Sequence, residues 1–275
     1  MSVRCFRLLV IAEPLHSPFH ISSAEYDSDR LSLAHARHMG DSFPRDANAQ
    51  AFAGYHLFKH GRLPEALVHA RRGWVLASSR PRELTLAQTS FCALACSCVL
   101  RGLGALSEAI AVAEAGAVLT GDPDLRTYLS MLLVVAAHPD DAIRHLMVAV
   151  GTVGRAPWAD LLLGTLLLES DKPRDAVAPL QLAAERFGES TQIRSVALNN
   201  LGVALAMAGD LDASVRAFRS IVGADADVAR ATRNAATVES REQQSLVIVN
   251  SEQVFATAAD ALVVMAMRSV AAAAA

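Results

Sequence analysis

Three cysteines, Cys92, Cys96 and Cys98, and two histidine pairs, His56/His60 and His35/His38, are the side chains whose types and spacing suggest chemistry first. Cys92 and Cys96 stand four residues apart and share one helix face. A metal site needs three or four ligands, and neither a histidine nor a carboxylate lies beside them in the sequence. They read as small buried residues in close helix packing. His56 and His60 also have the i, i+4 spacing that zinc can use. The glutamate of His-Glu-x-x-His is missing, and Gly61 follows at once. Gly102-Leu103-Gly104 lacks the lysine and the preceding strand of a phosphate loop, so it reads as a turn between helices. There is no Gly-x-Ser-x-Gly elbow, and no nucleophile is paired with a base at readable spacing. The expectation is a non-enzymatic protein without metal or cofactor.

The elements that carry these residues repeat. The stretches 47–80, 90–123, 123–156, 157–190 and 195–228 share one helix-turn-helix pattern. The first helix of each copy holds a small residue (Gly54, Ser97, Ser130, Gly164, Gly202) followed by a leucine (Leu57, Leu100, Leu133, Leu167, Leu205). A turn follows, and then a second helix opening on a small residue. Those opening residues, Ala66, Ala109, Ala142, Ala176 and Ser214, are 43, 33, 34 and 38 residues apart. Small residues facing one another let two helices cross closely, and larger apolar residues fill the space between their ridges.

This pattern resembles the tetratricopeptide repeat family over roughly 47–228, with leucine in place of the usual first-helix aromatic. The resemblance implies an all-α, right-handed superhelical solenoid of about five helix pairs. Residues 1–46 are expected to form an N-terminal segment and capping helix, and 229–275 capping helices and a tail. Within them, Val3–Ile11 reads as a short strand or tether. Ser22 or Ser23 would cap a helix ending at Gly40, and Pro44 would sit near the first turn of the next helix. Residues 228–244 read as a polar helix that includes Asn234, and 245–249 is a β-branched run. Ser251 would cap a last helix, 252–270, and the alanine tail 271–275 would fray, either continuing the helix or being disordered.

Composition supports this reading. The chain is 52 % hydrophobic and 19 % charged, with 5 % aromatic residues. Its net charge of −3 leaves no basic face for nucleic acid. The apolar stretch 8–12 ends at Glu13-Pro14 without a cleavage signal, and Asp260 and Arg268 interrupt the most apolar C-terminal run, so no leader and no membrane span are expected. Four cysteines without a regular framework fit a reducing cytoplasm.

In this family the first helices line a concave groove that binds peptides. Helical periodicity places Tyr55 and Phe58 of the first copy on that face, with Phe91, Leu94 and Arg101 of the second. Met131 comes from the third, Trp158 and Leu161 from the fourth, and Asn199 from the fifth. Aromatic and methionine side chains are the anchors favoured at binding hot spots. Asn199 is suited to hydrogen-bond an extended peptide backbone. The Lys/Arg/Asn clamp of the chaperone-docking members is not seen, because Lys59 and Arg101 stand alone. An apolar groove instead fits a hydrophobic protein or peptide partner. In that respect, and in its Ala/Arg-rich, bacterial-looking composition, the chain looks like the cytosolic chaperones of type III secretion translocators. The competing expectation is a self-association module, a homodimer or a groove filled by the chain's own segment 1–20 or 252–275.

Overall fold

A computed structural model describes residues 8–10, 33–34, 37–80, 83–153, 156–188, 192–222, 225–240 and 246–274. The five predicted helix pairs are present. The first helices are α1 (Ala47–Lys59), α3 (Leu86–Gly102), α5 (Pro123–Val135), α7 (Trp158–Glu169) and α9 (Gln192–Ala208). The second helices are α2 (Leu63–Ser79), α4 (Leu106–Thr120), α6 (Pro139–Val150), α8 (Pro173–Arg186) and α10 (Leu211–Arg219). Then come α11 (Asp225–Ser240), a short strand β2 (Leu246–Ile248) and α12 (Ser251–Ala274). A second strand, β1 (Leu8–Val10), pairs with β2 in parallel, Leu8 opposite Leu246 and Val10 opposite Ile248. The architecture is an all-α helical repeat.

The described elements form two compact units. One holds α1–α5 and residues 259–274; the other holds β1, α6–α11, β2 and residues 251–258.

Local chemistry fixes the helix starts. Asp46 accepts the Ala49 amide at the head of α1, and Asp210 accepts that of Ala213 at α10. Thr85 and Gln88 form a reciprocal capping box at α3. Asp122 accepts the amides of Asp124 and Leu125 at α5, where Pro123 fills a first-turn position that needs no N–H.

The five turns between paired helices are built alike. Each has one residue in the left-handed region: Gly61, Gly104, Ala137, Asp171 and Gly209. In each, the next amide donates back to the repeat's leucine carbonyl: Arg62 to Leu57, Ala105 to Leu100, His138 to Leu133, Lys172 to Leu167 and Asp210 to Leu205, all at 2.8–2.9 Å. This is the Schellman closure of a helix C-terminus. It accounts for Gly102-Leu103-Gly104, which is a turn.

Burial follows the repeat. First helices are surrounded: every residue from Thr89 to Leu100 of α3 and from Trp158 to Leu168 of α7 is buried. Second helices bury one stripe, such as Ala66, Ala70, Gly73 and Ala77 of α2. The small residues stand where backbones cross. A methyl on Gly54 would lie 2.6 Å from the Ala70 amide nitrogen, and one on Gly202 2.5 Å from the Phe218 ring. At the second crossing serine stands in place of glycine and its hydroxyl bridges the helices, Ser97 Oγ donating to the Ala109 carbonyl at 3.0 Å; Ser130 Oγ instead donates back to the Arg126 carbonyl of its own helix at 2.8 Å.

Several local expectations are corrected. Helical structure at 37–42 runs through Gly40, which is buried against His69 and Ala53 because a side chain would not fit there. Pro44 lies in the preceding turn, and α1 begins at Ala47. Asn250, not Ser251, caps α12: the Gln253 amide donates to Asn250 Oδ1 at 2.9 Å and the Asn250 amide to Gln253 Oε1 at 3.1 Å. The alanine tail continues the helix to Ala274. The expected cap at Ser22 or Ser23 lies outside the described residues.

Candidate functional site: an asparagine clamp on an extended segment

Three asparagines meet inside the second unit. Asn199 and Asn200 are neighbours on α9, and Asn234 lies on α11 one helical turn beyond Arg230. All are buried, Asn200 and Asn234 completely. A buried carboxamide requires partners for its two donors and its acceptor oxygen. Those partners come from the backbone of residues 246–249.

The Val247 amide donates to Asn234 Oδ1 at 3.0 Å. The Val247 carbonyl accepts from Asn234 Nδ2 at 2.8 Å and from Asn199 Nδ2 at 2.9 Å. Two residues on, the pattern recurs: the Val249 amide donates to Asn200 Oδ1 at 3.0 Å, and the Val249 carbonyl accepts from Asn200 Nδ2 at 2.8 Å. The carboxamides also bond one another, Asn234 Nδ2 to Asn199 Oδ1 at 3.1 Å, and Asn200 Nδ2 reaches Thr165 Oγ1 at 3.1 Å. An amide N–H only donates and a carbonyl only accepts, so these contacts fix which way each carboxamide faces.

The geometry follows from strand periodicity. In a parallel strand the N–H and C=O of alternate residues point to opposite edges, and residues two apart repeat at about 6.7 Å. Residues 247 and 249 therefore present their polar groups to one edge, where Asn234 and Asn200 stand. The other edge belongs to the parallel pairing with β1. A side-chain carboxamide has the donor and acceptor of a peptide unit, so the two asparagines act as a third strand reduced to two peptide groups. The side chains of Leu246, Val247, Ile248 and Val249 are buried. Just beyond, Glu169 of α7 accepts from the Ser251 amide and hydroxyl, each at 2.7 Å. Loss of water around this carboxylate raises its pKa, and the two Ser251 donors oppose the shift, although the residue keeps an exposed flank.

The expected groove residues divide between the two units. Tyr55, Phe58, Phe91, Leu94, Arg101 and Met131 lie in the first; Trp158, Leu161 and Asn199 lie in the second. Phe58 and Arg101 are half-buried, and the other seven are buried. Those seven are interior side chains, where periodicity had placed an open face. Trp158 packs edge-on against Phe187 with ring centroids 5.0 Å apart. Phe58 lies over Gly102, where a methyl would collide with its ring. The unit that contains Phe91, Leu94 and Met131 also contains residues 259–274, of which Leu262 and Val263 are fully buried. Asn199 does bond an extended backbone, and that backbone is the chain's own. Asn200 was not expected in this role, and Asn234 had been assigned to a solvated face. The one available signal was two adjacent carboxamides in the stretch 196–206, which is otherwise Ala, Leu, Val and Gly.

Cys92, Cys96 and Cys98 are buried thiols. Burial pushes Cys92 and Cys96 up to about 12, with the Asp46 charge adding to the shift at Cys92. His56 lies against the Phe52 ring at 4.2 Å. Among the described residues no three His, Cys, Asp or Glu side chains gather as metal ligands, and no helix is long and apolar enough to cross a membrane. Among the described residues, two ion pairs with a buried carboxylate brace the second unit: Arg186 to Asp160 at 2.7 Å, and Arg230 to Asp227 at 3.0 Å. Burial raises the Asp227 carboxyl, opposed by Arg230.

No protein-family model matches the chain, and no curated protein matches it. Solved structures do. YrrB, described as a TPR protein with an unusual peptide-binding site, superimposes with a TM-score of 0.51 at 16 % identity, over 75 % of this chain and 96 % of its own. BtubC from P. vanneervenii gives 0.54 at 16 % identity, over 80 % and 92 %. The APC/C hetero-tetramer Cut9–Hcn1 gives 0.56 at 14 % identity, over 88 % of this chain and 46 % of that one, so the match spans under half of the Cut9–Hcn1 chain. These likenesses show a fold of the tetratricopeptide-repeat type.

Proposed function

We propose that the chain is a non-enzymatic protein-interaction scaffold or chaperone that holds a hydrophobic segment of a protein partner against its first helices. In the resting state its own C-terminal residues take the partner's place. One observation carries this reading: on the edge that β1 does not take, side-chain carboxamides satisfy the backbone of Val247 and Val249. A segment that served only as packing would be held by its side chains. A segment gripped by its peptide groups is treated as a ligand. The peptide-binding site of YrrB, which has the same fold, adds support. Tyr55, Phe91, Leu94, Met131, Trp158 and Leu161 would meet a partner only after whatever covers them is displaced. The occlusion favours the competing reading in part, since the chain's own segment fills the place a partner would use.

A net charge of −3 favours a protein or peptide partner over nucleic acid. The buried free thiols Cys92, Cys96 and Cys98 suit the cytoplasm. The test is capture from the native host's lysate with two full-length baits, wild type and the strand-ejected variant Val247→Pro/Val249→Pro. The reading expects a polypeptide partner enriched on the ejected bait. If neither folded bait captures a polypeptide and both are monomers by light scattering, the reading fails.

A further inference from the structure

Resting on that interaction-module reading, we infer that Asn200 and Asn234 form a register-specific reader of peptide backbone for an external segment, and that residues 246–249 are its displaceable built-in occupant. The partner this site fits is an extended stretch of four apolar, preferably β-branched residues. Its second and fourth residues must have a free N–H.

Three features of the site lead there. First, recognition is by main chain. Asn234 takes both polar groups of Val247 and Asn200 both polar groups of Val249, so any extended segment in the same register satisfies the clamp equally. Second, the register is fixed at two residues. Asn199 places a second donor on the Val247 carbonyl, and the carboxamides hold one another and Thr165 in place. The clamp is therefore organised by α7, α9 and α11, not by the strand alone. Third, the side-chain requirement is apolar throughout. All four residues are buried, and Ile248, lying between Val247 and Val249, turns its backbone groups to the opposite edge, where β1 pairs. Proline at the second or fourth place is excluded, since its nitrogen has no hydrogen to give Asn234 or Asn200.

The occupant is covalently tethered, so an external segment competes with an effective concentration in the millimolar range for a short tether. Wild-type protein therefore binds such a segment weakly, and a chain whose strand cannot engage binds it more tightly.

The probe is a fluorescein-labelled peptide with the sequence of residues 244–250, Gln-Ser-Leu-Val-Ile-Val-Asn. A control peptide is N-methylated at the two valines, which keeps the side chains and removes the two donors. Binding is followed by anisotropy with full-length chains. The expected result is at least tenfold tighter binding to Val247→Pro/Val249→Pro than to wild type. Adding Asn200→Leu and Asn234→Leu should abolish it, and the N-methylated peptide should not bind. The inference is overturned if the folded proline variant ignores the probe or takes the N-methylated peptide equally well. Should the proline variant fail to fold, hydrogen exchange on wild type decides. Millimolar probe must speed exchange of the Val247 and Val249 amides, and unchanged rates overturn the inference. Partner capture that survives Asn200→Leu/Asn234→Leu would leave the interaction module standing and remove the clamp from it.

Discussion

Replacing Asn200 with leucine separates a clamp from ordinary packing, and its cost follows from the hydrogen bonds. Leucine has nearly the same shape, so little cavity is left. What is lost is the acceptor for the Val249 amide at 3.0 Å and the donor to the Val249 carbonyl at 2.8 Å. Both backbone groups then stay buried, because Val249 is 1 % exposed. A buried polar group left unpaired costs about 1–3 kcal/mol, so the pair amounts to roughly 2–6 kcal/mol. Asn199→Leu should cost far less, about 1 kcal/mol, because the Val247 carbonyl keeps its bond from Asn234 at 2.8 Å. The assay is residue-resolved hydrogen exchange on both variants. In Asn200→Leu the Val249 amide should exchange faster by about 30-fold or more, the equivalent of about 2 kcal/mol, while Val247 changes much less. Equal acceleration at both amides would mean that the strand leaves as a unit and that side-chain packing holds it. Unchanged exchange at Val249 would mean that the carboxamide bond does not contribute. Either result refutes the clamp.

Other consequences can be checked with purified protein. Ala137 takes a left-handed conformation (φ 61°) that three of its four sister turns give to glycine, so Ala137→Gly should raise stability by roughly 1 kcal/mol in urea unfolding. Asp171→Gly should gain less, since aspartate tolerates that region better. Trp158→Ala should lower stability by about 3–5 kcal/mol, because the side chain is buried against Phe187. A melt unchanged from wild type would return Trp158 to the role of exposed anchor. Cys92 and Cys96, raised from 9.0 to about 12, should resist iodoacetamide at pH 8 until the chain unfolds. The unfolded chain releases those protons first, so their contribution to stability is complete below pH 9 and is lost as pH rises from 9 toward 12.

The repeat was legible in the sequence because its physics is local. A leucine carbonyl that closes each turn, a small residue at each crossing and a stripe of alanines recur within about 34 residues, and five copies in phase reinforce one another. The same locality explains what was misread. Periodicity says which residues share a face, but not what lies against that face. Phe91 and Met131 were correctly placed on the first helices, yet they are buried. Nothing within one repeat shows whether a partner, the next repeat or the chain's own end covers them.

Asn234 shows this limit most sharply. In sequence it sits between Arg233 and Ala235 in a helix dotted with charges, and a polar residue there defaults to solvent. Its partner is Val247, 13 residues on. Asn200 is further from its own partner, 49 residues from Val249. A carboxamide is inexpensive on the surface and costly in a core, so burying three together is tolerated only where each finds donors and acceptors. Here the polar groups come from one edge of a strand whose own side chains are apolar. Neither signal suggests the other when each is read alone. Together they satisfy each other bond for bond: alternate residues of a strand turn their N–H and C=O to one edge, and on the edge facing the carboxamides these are Val247 and Val249.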